Sequence, residues 1–204
     1  MRWPIMVCVL LAAAGSSEPC RAADPRYPDW PCAQAKVPEI SLAAVWAGPP
    51  LDDAANRWKG DARISALVPR LAARRTPPDE AQKAITEFLA SSSADKAERG
   101  KLLFAGLFDA LNAQRSSVMS GLERVTRKQR EAADKIRADT LALQALQDAP
   151  AKDQAKIDEL GNQLVWETRI FEDRRRVIKF VCEVPTAIDQ RLFALGRVIQ
   201  QEME

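Results

Sequence analysis

Apolar residues recur at alternating spacings of three and four along the stretch from Val118 to Ile199. A short polar connector around Pro150 interrupts the pattern, which resumes at Ile157. Alternating spacings of this kind put the apolar side chains on one face of a helix, and a proline between two such runs separates the helices. We therefore expect an all-α protein built on two long helices that fold back on each other as an antiparallel, coiled-coil-like hairpin.

The hairpin should pack on a small helical body. We expect body and hairpin to form a single helical domain over residues 51–204, with hairpin arms over about 95–147 and 153–204. In the first arm, the run Lys101–Asn112 is apolar nearly all round, so it should be the most buried helical segment. Close packing of another element would explain Gly106, because a glycine weakens a helix interior.

Start signals place two shorter helices in the body. Asp61 is a typical N-cap for the amphipathic segment 62–75, inside which Pro69 predicts a kink or a break. Thr76 is the next expected cap, with Pro77 at the first helical position.

The second arm carries a further apolar row beside its seam. The row consists of Trp166, Ile170, Val177, Phe180 and Val184. Large apolar side chains are seldom left in water as a group, so we expect the helices of residues 61–112 to cover this row. Only the tip of the hairpin, roughly 136–167, would then project freely.

Residues 23–50 combine a high density of proline with the aromatic side chains of Tyr27, Trp30 and Trp46. Prolines at this density disfavour a helix and favour extended backbone. We interpret the segment as an extended strap laid across the helical body, with its aromatic side chains in surface grooves. The alternative is an exposed recognition segment that contacts a partner.

Residues 1–22 have the layout of a secretory signal peptide, with an early Arg2, a short apolar run and small residues before a cleavage position. We place cleavage after Ala22 and keep cleavage after Ala23 as the alternative. The apolar run is too short to span a bilayer comfortably, and no later stretch is apolar enough to do so. We expect the mature protein to be periplasmic or secreted.

Removal of residues 1–22 would leave Cys32 and Cys182 out of four cysteines. An even pair in an oxidising compartment most simply forms a disulfide, which would tie the strap to the second arm. Two free buried thiols are the alternative. The spacing of the pair does not fit a zinc site.

The chain contains no histidine, which removes most common catalytic and metal-binding chemistry. Ser-His-Asp and Cys-His catalysis, histidine-bound metals and axial histidine haem ligation all depend on that residue. Charge is nearly balanced, with 30 Lys+Arg against 28 Asp+Glu, and no base-stacking platform accompanies the basic residues. We expect no enzymatic activity, no cofactor, no bound metal and no nucleic-acid partner.

Polar residues interrupt the seam of the hairpin at Gln129, Asp139, Glu167 and Arg174. Polar groups at seam positions usually fix the register of the two helices. A carboxylate pair for acid/base catalysis is the alternative, but it needs a pocket that two helices alone do not make.

Basic residues cluster around the middle of the hairpin, with acidic residues between them. We expect most of this charge to form a solvated helix face with pairs one turn apart. The alternative is a contact surface for an anionic partner, either lipid headgroups, a cell-envelope polymer or an acidic protein. The candidate partner-contact residues of strap and hairpin together are Trp30, Tyr27, Arg127, Arg130, Arg137 and Arg175.

These observations favour an exported, non-enzymatic interaction or adaptor protein of the cell envelope. Its protein partner would be contacted through the helical hairpin or the N-terminal strap. The alternative is a periplasmic small-molecule or metal-ion binding protein, or a hydrolase, that uses carboxylates between the body and the arms. A homo-oligomer formed through exposed arm faces is left open.

Overall fold

The structure, a computed structural model, describes residues 24–91 and 95–204, and these residues form helices and no strand. The expected all-α class is confirmed. The predicted signal peptide lies outside the described residues. In chain order the α-helices are α1 Leu42–Val45, α2 Ala54–Arg57, α3 Ala62–Ala72, α4 Pro78–Ala90, α5 Lys96–Asp148, α6 Gln154–Val181 and α7 Val184–Met203.

The expected hairpin consists of α5 and α6, which pack against each other in opposite directions. Helix α5 has 53 residues and α6 has 28, so at 1.5 Å per residue they are about 80 and 42 Å long. The Asp153 carboxylate caps α6 by accepting a hydrogen bond from the Lys156 N–H. The second arm is two helices, because α6 ends at Val181 and α7 begins at Val184 with Pro185 in its first turn.

The first part of α5 forms the centre of the core, in agreement with the prediction for Lys101–Asn112. Helices α3, α4 and α7 pack against this part of the molecule. A Cβ atom on Gly106 would lie 2.7 Å from Val68 Cγ2 and 3.0 Å from the Trp58 ring, so the expected close approach is confirmed. The fully buried side chains of this segment are Leu103, Phe104, Leu107 and Leu111.

The start signals of the body are right for α3 and wrong for α4. Asp61 caps α3 by accepting hydrogen bonds from two backbone N–H groups, as expected. Helix α3 continues past Pro69 and ends at Ala72. Thr76 is not an N-cap: its hydroxyl donates to the Arg70 carbonyl at 2.7 Å, and α4 starts only at Pro78. The hydroxyl therefore closes the turn after α3 instead of opening α4.

Arg191 of α7 ties that helix to the end of α3. Its guanidinium donates to the Leu71 carbonyl at 2.6 and 2.8 Å and to the Thr76 carbonyl at 3.1 Å. Carbonyls in the last turn of a helix have no partner within it, so they need donors of this kind. Partial burial lowers the pKa of Arg191, although a guanidinium stays charged in a protein.

The N-terminal strap is tied to the body at two places. Cys32 and Cys182 have their Sγ atoms 2.04 Å apart, so the expected disulfide is confirmed. Further along, Val45 and Trp46 are buried, and the Trp46 ring stacks on Phe104 with a centroid distance of 4.1 Å. The later half of the strap, including the single turn α1, thus belongs to the core.

The expectation that the body covers the apolar row on the second arm is wrong for four of its five residues. Their side chains are exposed by 62 % at Trp166, 46 % at Ile170, 58 % at Val177 and 70 % at Phe180. Val184 alone packs against the core. The reason is that α3 docks on α5 and α4 docks mainly on α7, while the packing partner of α6 is α5.

Candidate interaction surface on the helical hairpin

Four exposed side chains form a line along the outer face of α6, which we call the α6 ridge: Trp166, Ile170, Val177 and Phe180. Their spacings of four, seven and three place them on one side of the helix. From end to end the ridge covers about 21 Å at 1.5 Å per residue. A line of large apolar side chains in water differs from the scattered exposed residues of an ordinary surface.

A groove of about 640 Å³ runs beside the ridge, between α5 and α6, and we call it the stem groove. Val177 belongs to both features, so groove and ridge meet at this residue. The exposed carboxylate of Asp173 lies on the same face, between Val177 and Ile170. The groove opens above Gly121, where a Cβ atom would have Arg124 Nη2 as its nearest neighbour at 3.8 Å. Its apolar walls are Val118, Leu122, Val125, Val177, Ile178 and Val181.

The polar side chains that line the stem groove are mostly basic. They are Arg124 and Lys128 from α5, and Arg174 and Asp173 from α6. Asp173 is already paired with Arg176 on its own helix. Within the described residues, Arg124, Lys128 and Arg174 form no ion pair. The groove therefore combines an apolar floor with three uncompensated positive charges.

Two of the predicted contact residues, Arg127 and Arg130, form ion pairs with the strap. Arg127 and Arg130 each place a guanidinium nitrogen 2.7 Å from a carboxylate oxygen of Asp29. The hydrogen bond from Arg127, supported by Arg130, lowers the pKa of Asp29. Nearby, Lys36 pairs with Glu123 at 2.5 Å, which adds another polar tie between strap and α5.

The aromatic candidates of the strap are half-buried and have partners within the strap. Trp30 Nε1 donates to the Gln34 carbonyl at 2.7 Å. The Tyr27 ring lies under the Lys36 ammonium at 4.5 Å from the ring centroid. The Gln34 side chain also donates to the Cys182 carbonyl, beside the disulfide.

The two remaining candidates, Arg137 and Arg175, are exposed and pair with Asp134 and Glu172 one turn away on their own helices. The structure thus groups Tyr27, Trp30, Arg127 and Arg130 around the strap and leaves Arg137 and Arg175 apart from them. None of the six lines the stem groove.

Three of the four polar seam residues form contacts between the arms or along the seam, whereas the fourth, Arg174, lines the stem groove. Gln129 is buried, and its amide donates to the Phe171 carbonyl at 3.0 Å. Lys135 bridges both seam carboxylates, with Nζ 2.5 Å from Asp139 and 2.7 Å from Glu167. The hydrogen bond from Lys135 lowers the pKa of Glu167. A carboxylate bridged by a lysine is held ionised, which suits a structural role and does not suit a general acid.

A carboxylate between the body and the arms is also already paired. Asp189 of α7 lies 2.8 Å from Arg115 of α5, which is buried, and both border a shallow groove of about 410 Å³ beside the strap. Desolvation raises the pKa of Asp189, and the charge of Arg115 opposes that effect. Among the described residues no group of three or more carboxylates and cysteines is placed to hold a metal ion.

These features define an all-α protein with a long helical hairpin, whose outer face carries an uncovered apolar surface. Compared with known proteins, the chain matches no family model, no curated protein and no solved structure. Within residues 24–91 and 95–204, no helix has both the length and the apolar character needed to cross a bilayer.

Sequence reasoning found the residues of the ridge and missed the stem groove. The available signal was Gly121, a glycine inside the heptad pattern, followed by basic residues at positions 124 and 128 on the same side of the helix. That combination indicates an open, positively charged stretch of helix only when the neighbouring helix is known not to fill it.

Proposed function

We propose that this protein is an exported, non-enzymatic adaptor of the cell envelope that binds a protein partner through its helical hairpin. The observation that carries the proposal is the α6 ridge, four large apolar side chains that the rest of the described chain leaves in water. Contiguous apolar surface on a folded protein usually marks an interaction site. Aromatic side chains such as Trp166 and Phe180 are typical anchors of protein interfaces.

The position of the ridge supports a docking role. The buried core lies around the first part of α5, with α3, α4 and α7, whereas the ridge lies on α6. A partner can therefore cover the ridge without displacing any core residue. The Cys32–Cys182 disulfide supports the exported location, because disulfides persist in oxidising compartments.

The proposal is tested with a ridge variant, Trp166→Ser/Phe180→Ser, used as bait in envelope extract of the producing cell. The matched control is Leu141→Ser/Val165→Ser, which removes two apolar side chains that are 66 % and 68 % exposed and lie off the ridge. We expect wild type and control to retain the same protein, identified by mass spectrometry, and the ridge variant to lose it. Both variants should unfold at the wild-type temperature, since exposed substitutions change stability by about 0.5 kcal/mol or less.

An equal yield of that protein on the ridge variant and the wild type would contradict the proposal. So would a loss of equal size on the control, because it would show a general dependence on exposed apolar area.

A further inference from the structure

We propose that the stem groove is the docking site for an acidic amphipathic helix of the partner, which would lie in it as a third helix beside α5 and α6. The inference rests on the proposed function and adds the chemistry of the partner segment. It follows from the shape of the groove, from its uncompensated charge and from the ridge that extends one of its walls.

The shape fits a helix. On α5 the lining residues extend from Val118 to Lys128, about 15 Å of helix at 1.5 Å per residue, or nearly three turns. Beyond the exposed Asp173, the ridge adds the apolar side chains of Ile170 and Trp166 along α6. A helix that presents apolar side chains at every third or fourth position can place them between the two rows, as helices do in bundles. At Gly121 the backbone of the docked helix can approach α5 closely, because the space that a Cβ would take is open.

The charge selects an acidic helix. Several basic side chains of the hairpin are neutralised within the chain, as Arg127 is by Asp29 and Lys135 is by Asp139. On α6, Arg169 and Lys179 form no ion pair with a described residue either, but they do not line the groove. The three basic residues of the stem groove have no such partner among the described residues. Carboxylates along both edges of a docked helix would reach Arg124 and Lys128 on one side and Arg174 on the other. Complementary charge of this kind gives specificity and speeds association.

Two other occupants fit less well. A single acyl chain would fill the groove but leave Trp166 and Phe180 exposed. A second copy of this chain would bring its own Arg124, Lys128 and Arg174 toward those of the first, and like charges oppose association. Helix α4 of this chain is not available as the docked helix, since its apolar side, with Ala81, Ile85 and Leu89, is buried in the core.

The first test measures binding of two fluorescein-labelled helical peptides of 18 residues to the purified protein by fluorescence anisotropy. Both peptides carry leucine on one face, and the other face carries glutamate in one peptide and lysine in the other. We expect the glutamate peptide to bind at least tenfold more tightly than the lysine peptide, and its affinity to fall as NaCl is raised from 50 to 500 mM.

The second test changes the groove. The variant Arg124→Glu/Lys128→Glu/Arg174→Glu should bind the glutamate peptide about tenfold or more weakly than wild type does. It should bind the lysine peptide more tightly than wild type does. Gly121→Leu should block the groove and keep the fold, because a Cβ there meets only the end of the flexible Arg124 side chain, at 3.8 Å. The matched control is Arg137→Glu/Arg175→Glu, which reverses two exposed arginines outside the groove and should leave both affinities unchanged.

Equal binding of the two peptides would overturn the inference, as would wild-type affinity in the charge-reversed or Gly121→Leu protein. The inference would also be overturned if the peptides failed to bind and phosphatidylglycerol vesicles bound in a way that needs the same three cations. A dimer in sedimentation that depends on the ridge residues would overturn it as well. The two proposals fail separately: a partner that is lost from the ridge variant but retained by the charge-reversed protein leaves the adaptor function intact and removes only the acidic helix.

Discussion

Loss of the Cys32–Cys182 disulfide should remove a large share of the free energy of unfolding. The bond joins residues 150 apart in sequence, and closing a loop of that length restricts the unfolded chain by about 5 kcal/mol in the chain-entropy model. The other ties of this part of the strap are ion pairs, such as Lys36 with Glu123, and single hydrogen bonds, such as Gln34 to the Cys182 carbonyl, which each contribute much less. We expect the variant Cys32→Ser/Cys182→Ser to lose about 3–5 kcal/mol, from a total that is roughly 5–15 kcal/mol for a domain.

Urea unfolding measures this loss directly. With a slope of about 2 kcal/mol per molar urea, the midpoint should fall by about 1.5–2.5 M in the variant. Wild type treated with dithiothreitol should unfold at the midpoint of the variant, because both lack the same bond. If oxidised wild type and the variant unfold at the same urea concentration, the bond does not constrain the unfolded chain.

Three further predictions concern single positions. Gly121→Ala and Gly161→Ala should each add about 0.5–1 kcal/mol to the free energy of unfolding and so raise the unfolding temperature, because a Cβ has free space at both positions. Gly106→Ala should lower the unfolding temperature, because its Cβ would overlap neighbouring side chains. Arg191→Met should lower the free energy of unfolding, measured in urea, by about 1–3 kcal/mol for each carbonyl left without a donor. An unchanged urea midpoint would show that water replaces the guanidinium. The folded-state pKa of Asp29 is lowered, so its stabilising contribution is present above the unfolded pKa of about 4 and is lost as pH falls through the folded value. The stability difference between wild type and Asp29→Asn, followed by urea unfolding from pH 6 to pH 2, should therefore shrink on acidification, and a constant difference would argue against the ion pairs.

The hairpin could be predicted from sequence because its signal is local and repeated. Alternating apolar spacing over many turns allows few arrangements, and Pro150 marks where the chain must turn. The disulfide was predicted by counting the cysteines that lie outside the predicted signal peptide. These inferences need no knowledge of how distant helices dock.

The candidate site could be found only by knowing how the distant helices dock. Periodicity showed that Trp166, Ile170, Val177 and Phe180 share a face, and the expectation of a covering body assumed that an apolar face is always buried within its own chain. The body helices instead dock on the first part of α5 and on α7, where Gly106 allows close contact with α3. Whether the body helices cover α6 or α5 is decided by tertiary packing, which no local sequence pattern specifies.

The disulfide also changes what a single cut in the chain would do. Cys32 lies before the hairpin, and Cys182 lies at the end of its returning helix. A protease that cleaved the exposed connector between α5 and α6, at Lys152 for example, would produce two fragments that stay covalently joined at the base of the hairpin. The cut would divide the polypeptide without releasing either piece, so the two fragments would separate on a reducing gel and stay together on a non-reducing one.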